Sequence, residues 1–176
     1  MKNRGYLGID ESNHGKFPEI FVGVFTETLS DTKKTQIPKR RGKDVSKLLG
    51  SGRQYRHIRV LQDDADLIKS DEKRKLVVFA EFIKFFGRLG GLEQVIIDGL
   101  FPEGGISNLR KIIYPLNPII VVEPFADETY NLVNIADGIA NRLHRYYAGA
   151  TSVRDKTKYL RSLLTPKWEN YAELLI

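Results

Sequence analysis

Carboxylates stand at the ends of two apolar segments of the chain. The first segment, Y-L-G-I at residues 6–9, runs into Asp10 and Glu11, and the second, V-I-I at 95–97, runs into Asp98. A charged residue gains nothing from burial at the end of an apolar strand, and its burial is costly unless it is paired or bound to a cation. Mg²⁺ prefers carboxylate oxygens and completes its coordination with water and substrate phosphate. The pattern therefore predicts a divalent-cation site between the two strand ends.

The adjacent carboxylates of Asp10 and Glu11 place a condition on this site. Successive side chains of a strand point to opposite faces, so both can reach one site only where the strand ends and the backbone turns. The following S-N-H-G, residues 12–15, supplies turn residues. His14 in this turn stands beside the expected site, where an imidazole can move a proton or contact phosphate; a purely polar surface role is the alternative.

A basic segment lies between the first strands. Residues 33–43, K-K-T-Q-I-P-K-R-R-G-K, are mostly Lys and Arg around one proline, a composition that predicts an exposed loop. The chain as a whole carries a net charge of +6, which suits a polyanionic partner. Contact with nucleic-acid phosphates is one interpretation of this segment, and a solvated basic loop is the other. The residues proposed to make the contact are Lys39, Arg40, Arg41, Lys43 and, shortly after this segment, Lys47.

Strands and helices must position these side chains. Apolar patterning predicts strands at 5–10, 19–27, 55–61, 93–99 and 117–124, and long helices from about 72 to 89 and from 127 to 147. The first long helix is expected to have Asp71 as its cap and Gly90–Gly91 as its stop. Residues 102–108 are expected to form a turn, and two shorter helices are expected at 153–164 and 166–175. This order predicts an α/β domain, 1–150, with a mixed five-stranded sheet flanked by helices and a helical extension, 151–176, packed on it.

Composition limits the classes of protein that fit. The 176 residues include 41% hydrophobic residues and no cysteine, so disulfide scaffolds and zinc-thiolate sites are excluded. No segment approaches the length of an apolar membrane span, and the first residues lack the apolar core of a signal peptide. We therefore expect a cytoplasmic protein without a membrane partner, whose metal would bind to oxygen or imidazole.

Three segments of the chain resemble type 2 ribonucleases H, the ribonuclease HII/HIII group of the ribonuclease H-like superfamily. Y-L-G-I-D-E-S-N-H-G resembles the family's G-I-D-E-A-G-R-G opening, V-I-I-D-G its middle strand, and P-F-A-D-E-T-Y-N-L-V-N-I-A-D-G-I-A-N-R-L-H-R its third block. The weaker G-K-D-V-S-K-L-L, with Lys43 and Lys47, is similar to the family's K-D-S-K-x-L segment. The resemblance implies a ribonuclease H-like fold and metal-dependent hydrolysis of phosphodiester bonds.

The resemblance also implies which acids hold the metal. Carried over, Asp10, Glu11, Asp98 and Asp127 are the four acids that bind two Mg²⁺ or Mn²⁺ ions. An uncharacterised family of the same fold, with an I-D-E-S-G opening and a late A-D-L-I-A helix, is also similar to I-D-E-S and N-I-A-D-G-I-A, which makes Asp137 the alternative fourth acid. Ten helical residues separate the two candidates, about 15 Å, so one metal pair is not expected to use both.

The substrate is less defined by the resemblance. The family's G-R-G contacts the 2′-hydroxyl at an RNA–DNA junction, and Ser12, Asn13 and His14 stand at these positions here. The expected function is two-metal endonuclease cleavage of RNA in an RNA–DNA hybrid, with Ser12 and Asn13 among the residues that contact nucleic acid. The alternatives are a nuclease of the same fold that acts on structured DNA or plain RNA, and a non-catalytic nucleic-acid-binding module.

Overall fold

A mixed β-sheet forms the centre of the protein. The computed structural model describes residues 4–12, 17–38, 45–149 and 170–171. Five principal strands lie in the spatial order β5-β4-β1-β2-β3, and a two-residue strand, β6, pairs with the outer side of β3. The strands are β1 (Gly5–Ser12), β2 (Glu19–Thr26), β3 (Arg53–Val60), β4 (Leu92–Asp98), β5 (Ile119–Glu123) and β6 (Asn170–Tyr171). The predicted α/β fold with a five-stranded mixed sheet is confirmed.

Strand directions bring the carboxyl ends of three strands to one edge. The first two strands form an antiparallel hairpin, and β3 is antiparallel to β2. In contrast, β4 pairs parallel with β1, and β5 pairs parallel with β4. Parallel neighbours need a crossover connection, usually a helix. The carboxyl ends of β1, β4 and β5 therefore meet at the same edge of the sheet.

Helices lie before β4 and between β4 and β5, on the connections that these parallel strands require. The helices are α1 (Val45–Leu49), α2 (Gln62–Leu67), α3 (Asp71–Gly90), α4 (Gly105–Ile113) and α5 (Asn131–Gly149). The predicted turn at 102–108 is wrong beyond Gly104, because α4 begins at Gly105 and carries the chain from β4 to β5. The predicted cap of α3 is also wrong: the hydroxyl of Ser70 accepts the hydrogen bond from the backbone N–H of Lys73. Gly91 ends α3 as predicted, at a φ of 85° that favours glycine.

The sheet is covered on both faces. Helices α3 and α4 pack on one face, against side chains such as Leu7, Ile9 and Phe21. Helices α1 and α5 pack on the other, against Tyr6, Val22 and Val24. Because strand side chains alternate between faces, neighbouring residues of β1 belong to different layers.

The C-terminal tail departs from prediction where the structure describes it. Asn170 and Tyr171 pair parallel with His57 and Ile58 of β3, so the helix predicted over 166–175 is wrong at these two positions. Without β6, β3 would leave its outer backbone groups unpaired, and such an edge readily accepts another strand. The remaining predicted helical residues of the tail lie outside the described residues. None of the helices in the described part of the chain is both long and apolar enough to cross a membrane.

Candidate active site

Asp10 and Asp98 are neighbours on adjacent parallel strands. The register of β1 and β4 pairs Ile9 with Ile97. The next residue of each strand is an aspartate, so the two acids lie side by side at the carboxyl edge. In an open α/β sheet this edge is where ligands bind. The register of β1 and β4 therefore brings the two strand ends together, as the sequence predicts.

Both acids face α5. A Cβ added to Gly8, two residues before Asp10, would lie 2.8 Å from the backbone of Leu132 in α5. Ile96, two residues before Asp98, packs with Val133 of the same helix. Since residues two apart on a strand share a face, Asp10 and Asp98 project toward α5.

Asp10 is the most perturbed of the acids. Only 5% of its surface is exposed. Burial raises the pKa of the Asp10 carboxyl well above its usual value, and the charges of Asp98, Asp137 and Asp127 raise it further, in that order. A hydrogen bond from the backbone N–H of Glu11, 2.7 Å from Oδ1, acts in the opposite direction. Four carboxylates therefore share one electrostatic environment, and a buried like-charge group of this kind is typical of functional sites.

The backbone before α5 holds Asp98. The N–H of Ala126 donates to Asp98 Oδ1 at 2.5 Å. Asp127 follows in a short 3-10 helix (Ala126–Glu128) and is 8% exposed. The prediction that α5 starts at Asp127 is wrong by four residues, because α5 begins at Asn131. Asp127 and Asp137 consequently do not belong to one continuous helix, and the charges of both act on Asp10.

Asp137 is held by its own helix. Asn141, one turn later in α5, donates through Nδ2 to Asp137 Oδ1 at 2.5 Å and to its backbone oxygen at 3.1 Å. The hydroxyl of Ser12, at the end of β1, donates to Asn141 Oδ1 at 3.5 Å. Sequence reasoning did not assign a role to Asn141, although the spacing of four residues from an acid on one helix was a usable signal.

Glu11 is directed to the other face. Strand β1 continues through Ser12, two residues further than predicted, so the backbone does not turn between Asp10 and Glu11. Lys75 of α3 donates to Glu11 Oε1 at 2.7 Å, and it lies 3.4 Å from Asp71 Oδ2. Burial alone would lower the pKa of Lys75, but the hydrogen bond to Glu11 and the charges of Glu11 and Asp71 outweigh it and raise the pKa. The structure thus separates Glu11 from the group around Asp10.

The other predicted contact residues are mostly not described. Asn13, His14, Lys39, Arg40, Arg41 and Lys43 lie outside the described residues, whereas Lys47 is exposed on α1. The described start of the basic segment is attached beside Asp127: the N–H groups of Thr35 and Ile37 donate to the backbone oxygens of Thr129 and Glu128, at 2.8 and 2.9 Å. The basic segment therefore leaves the described structure next to the acids.

The donor set suits a hard divalent cation in its chemistry. Asp10, Asp98, Asp127 and Asp137 offer only carboxylate oxygens, and their mutual repulsion is what a bound cation would relieve. In the ranges that the structure covers, no three His, Asp or Glu side chains are arranged closely enough to hold one ion. The charges of Asp98, Asp127 and Asp137 therefore act on Asp10, but within the described ranges these carboxylates do not close around one ion position.

Solved structures of several ribonucleases share this architecture. Ribonuclease HII of Archaeoglobus fulgidus, solved in complex with PCNA, is 20% identical at a TM-score of 0.53, over 92% of this chain and 90% of that one. Ribonuclease H2 of Pyrococcus horikoshii OT3 is 15% identical at a TM-score of 0.58, over 89% and 85%. Bst-RNase HIII in complex with Mn²⁺ is 13% identical at a TM-score of 0.52, over 91% and 63%. No protein-family model and no curated protein matches the chain. These structural neighbours establish a type 2 ribonuclease H fold.

Proposed function

We propose that this protein is a metal-dependent endonuclease that hydrolyses phosphodiester bonds, with RNA in an RNA–DNA hybrid as its substrate. The observation that carries the proposal is the placement of Asp10 and Asp98 side by side at the carboxyl edge of β1 and β4. This pair faces Asp137 across the contact with α5, in a fold shared with ribonucleases HII and HIII.

The acids would divide the work by their position. Asp10 and Asp98, on neighbouring strands, would be ligands of two Mg²⁺ or Mn²⁺ ions. Asp137 or Asp127 would supply the further carboxylate ligand. Bound ions of this kind polarise the phosphate, lower the pKa of the attacking water and stabilise the leaving oxygen. The residues themselves fix where the phosphate is presented, because Ala126 and Asn141 orient the carboxylates of Asp98 and Asp137.

Cations around this edge would bind the nucleic-acid backbone. Arg59 of β3 is in register with Ile20, which pairs with Ser12, so its side chain shares the face of Asp10. Its guanidinium lies 4.6 Å from the ring centroid of Tyr147 in α5. The basic residues Lys39, Arg40, Arg41, Lys43 and Lys47 would add phosphate contacts, which position a strand without reading its sequence.

One observation favours a second substrate. S-N-H-G at residues 12–15 stands in place of the resembling family's G-R-G, and the hydroxyl of Ser12 donates to Asn141 Oδ1 at 3.5 Å. A ribonuclease H-fold nuclease that cuts structured DNA or plain RNA would need no 2′-hydroxyl contact here. Such a nuclease is the first alternative to cleavage of the hybrid, and a non-catalytic nucleic-acid-binding module is the second.

The test is cleavage of labelled nucleic acids by wild type and single-acid variants. Matched RNA–DNA hybrid, RNA duplex, DNA duplex and single strands are incubated with Mg²⁺ or with Mn²⁺. Variants Asp10→Asn and Asp98→Asn should each lose at least about a thousandfold in rate, since each removes a group that acts directly on the reacting centre. Asp66→Asn, an exposed acid on α2, is the matched control and should cleave at the wild-type rate.

Each outcome selects one function. Cleavage of the hybrid alone supports the proposal, and cleavage of another nucleic acid transfers it to the second substrate. Binding without cleavage of any substrate, together with no rise in melting temperature on adding Mn²⁺ or Mg²⁺, leaves the non-catalytic binding module.

A further inference from the structure

Phe125 is an exposed aromatic residue in a backbone conformation that suits glycine. Its φ is 61°, and it is the only non-glycine residue with positive φ among residues 4–12, 17–38, 45–149 and 170–171. Its surface is 69% exposed. A bulky side chain in the left-handed region is an outlier that the surrounding structure must enforce. The backbone of Phe125 is therefore strained, and the cost of this strain is not offset by burial of the ring.

The backbone at Phe125 is fixed beside the acids. Its carbonyl accepts a hydrogen bond from the N–H of Glu128 at 3.0 Å. The nitrogen of the next residue, Ala126, donates to Asp98 Oδ1 at 2.5 Å. Phe125 is thus joined by one peptide bond to the group that orients Asp98, and it is followed within two residues by Asp127. The backbone that carries the exposed ring is therefore held at the margin of the candidate active site.

The chemistry of the site indicates what such a ring would contact. The acids are proposed to act on a phosphodiester, and the nucleotides that flank this bond carry flat, apolar base faces. Stacking of a base on an aromatic side chain is tolerant of sequence and is available only when the base is not stacked within a duplex. A protein with net charge +6 attracts the strand, whereas an exposed ring beside carboxylates adds affinity without charge.

We propose that Phe125 stacks on an unpaired base next to the scissile phosphate, so that the enzyme prefers a hybrid that carries an unpaired nucleotide there over a fully paired hybrid. This inference rests on the proposed nuclease function and narrows its substrate class. The loop after β5 would act as a platform, since the hydrogen bonds of Ala126 and Glu128 hold its backbone beside Asp98 and the exposed ring of Phe125 would be available to a base.

Binding of defined oligonucleotides tests the proposal without cleavage. The full chain carrying Asp10→Asn is titrated with a twelve-nucleotide single strand that contains one 2-aminopurine, moved along the sequence. We expect quenching at one position by stacking on the ring. In the same background, Phe125→Ala and Phe125→Gly should weaken binding about tenfold and abolish the quenching, whereas Phe125→Tyr should preserve both. A blunt, fully paired hybrid should bind all variants within about twofold.

Two controls separate stacking from general effects. Phe125→Gly suits the left-handed backbone, so loss of affinity in a variant that melts at or above the wild-type temperature is not a folding defect. Leu100→Ala removes a side chain that is 79% exposed and follows Asp98 by two residues, and it should bind single strands like its parent. If Leu100→Ala weakens binding as much as Phe125→Ala, the contact is general apolar burial and the proposal is overturned.

The failures of the two proposals are distinct. If the Asp10→Asn protein binds oligonucleotides and Phe125→Ala or Phe125→Gly binds them equally well with the same quenching, the stacking role is overturned and the nuclease proposal stands. If the Asp10→Asn protein binds no single strand, hybrid or duplex, both proposals are overturned.

Discussion

Glu11 and Lys75 form an ion pair on the face of the sheet opposite to Asp10. Lys75 Nζ lies 2.7 Å from Glu11 Oε1, and the side chains are 24% and 9% exposed. The pair ties the end of β1 to the first turns of α3. Two adjacent carboxylates are thereby assigned to different layers, one to the candidate active site and one to the packing of α3.

We predict that Glu11→Gln affects stability more than catalysis. Loss of the carboxylate leaves Lys75 without this half-buried partner, and the free energy of unfolding should fall by about 1–3 kcal/mol. The cleavage rate should fall by less than about tenfold, far less than for Asp10→Asn. Urea unfolding and cleavage assays on both variants provide the comparison. Lys75→Met is the partner control and should destabilise without further loss in the double variant. A rate as low as that of Asp10→Asn, at unchanged stability, would place Glu11 in the site.

Asp10→Asn should be more stable than wild type when no divalent ion is present. Burial and the charges of Asp98, Asp137 and Asp127 raise the pKa of Asp10 in the folded protein. The ionised form is therefore disfavoured by folding, a cost present above the folded pKa and absent below the unfolded pKa. Asn keeps the oxygen that accepts from the N–H of Glu11 and removes the charge.

The gain should be about 0.5–2 kcal/mol at pH 7.5 in EDTA, and it should shrink as the pH is lowered. Thermal unfolding of both proteins from pH 4 to pH 8 measures it. Asp66→Asn should show no such gain at any pH. A variant less stable than wild type at every pH would contradict the electrostatic account of the site.

The sequence predicted the strand-end positions of Asp10 and Asp98 better than it predicted which carboxylates lie on the same face of the sheet. Asp10 and Asp98 follow apolar runs, and a parallel register brings such residues together whatever the details of the loops. The placement of Glu11 depended on where β1 ends, and a difference of two residues decided which face its side chain reaches. The end of a strand depends on its pairing with a neighbouring strand, and β1 pairs with β2 as far as Ser12. The residue pattern of β1 alone does not contain this information.

The connection through α4 was missed for a related reason. P-E-G-G at 102–105 has the composition of a turn, and it does form one, but the nine residues from Gly105 are helical. The helix is required by the parallel pairing of β4 and β5, a long-range relation. Likewise, Asp127 was assigned to α5 from helical spacing, whereas hydrogen bonds to Ala126 and Phe125 organise that segment as a separate turn.

Asp31 should make stability depend on acid. It is 4% exposed and accepts from Arg53 Nε and Nη2, at 2.7 and 2.8 Å, and from Asn131 Nδ2 at 2.6 Å. Burial alone would raise the pKa of Asp31, but these hydrogen bonds outweigh it and lower the pKa. A lowered folded pKa gives stability that is present above the unfolded pKa, about 3.9, and is lost as the pH falls through the folded pKa.

We expect Asp31→Asn to lower the free energy of unfolding by about 2–4 kcal/mol at pH 7, and by less below about pH 4. Urea unfolding at pH 7 and pH 3.5 gives both values. Glu123→Gln is the matched control, because the pair of Glu123 with Lys34 is more exposed and is screened by solvent, so its loss should lower the free energy of unfolding much less. Equal losses for the two variants at pH 7 would contradict the role of burial at Asp31.

Gly8 should not tolerate a methyl group. A Cβ at Gly8 would lie 2.8 Å from the carbonyl carbon of Leu132 and 2.9 Å from the nitrogen of Val133, both backbone atoms of α5. Gly8→Ala should therefore destabilise by about 1–3 kcal/mol and lower the cleavage rate, because α5 must move away from β1. Gly138→Ala meets only the end of the Leu48 side chain, at 3.0 Å, and alanine favours the helix. Thermal melts should show a clear loss for Gly8→Ala alone; similar melts for both variants would contradict the close approach.

Asn141 should act on catalysis through Asp137. Its Nδ2 holds the Asp137 carboxylate at 2.5 Å, and the charge of Asp137 acts more strongly on Asp10 than the charge of Asp127 does. Partners that orient a ligating carboxylate typically contribute 10–100-fold, so Asn141→Ala should lower the cleavage rate by about that factor with little change in KM. It should also raise the Mn²⁺ concentration needed for half-maximal rate.

Asp137→Asn should then lower the cleavage rate more than Asp127→Asn does. The reason is that Asn141 orients the carboxylate of Asp137, whose charge acts more strongly on Asp10. Ser12→Ala is the control, since it removes only the longer contact of 3.5 Å to Asn141 and leaves the bond to Asp137. The assay also decides between the two candidate acids: if Asp127→Asn abolishes cleavage while Asp137→Asn and Asn141→Ala cleave at the wild-type rate, the hydrogen bond in α5 is structural and Asp127 completes the site.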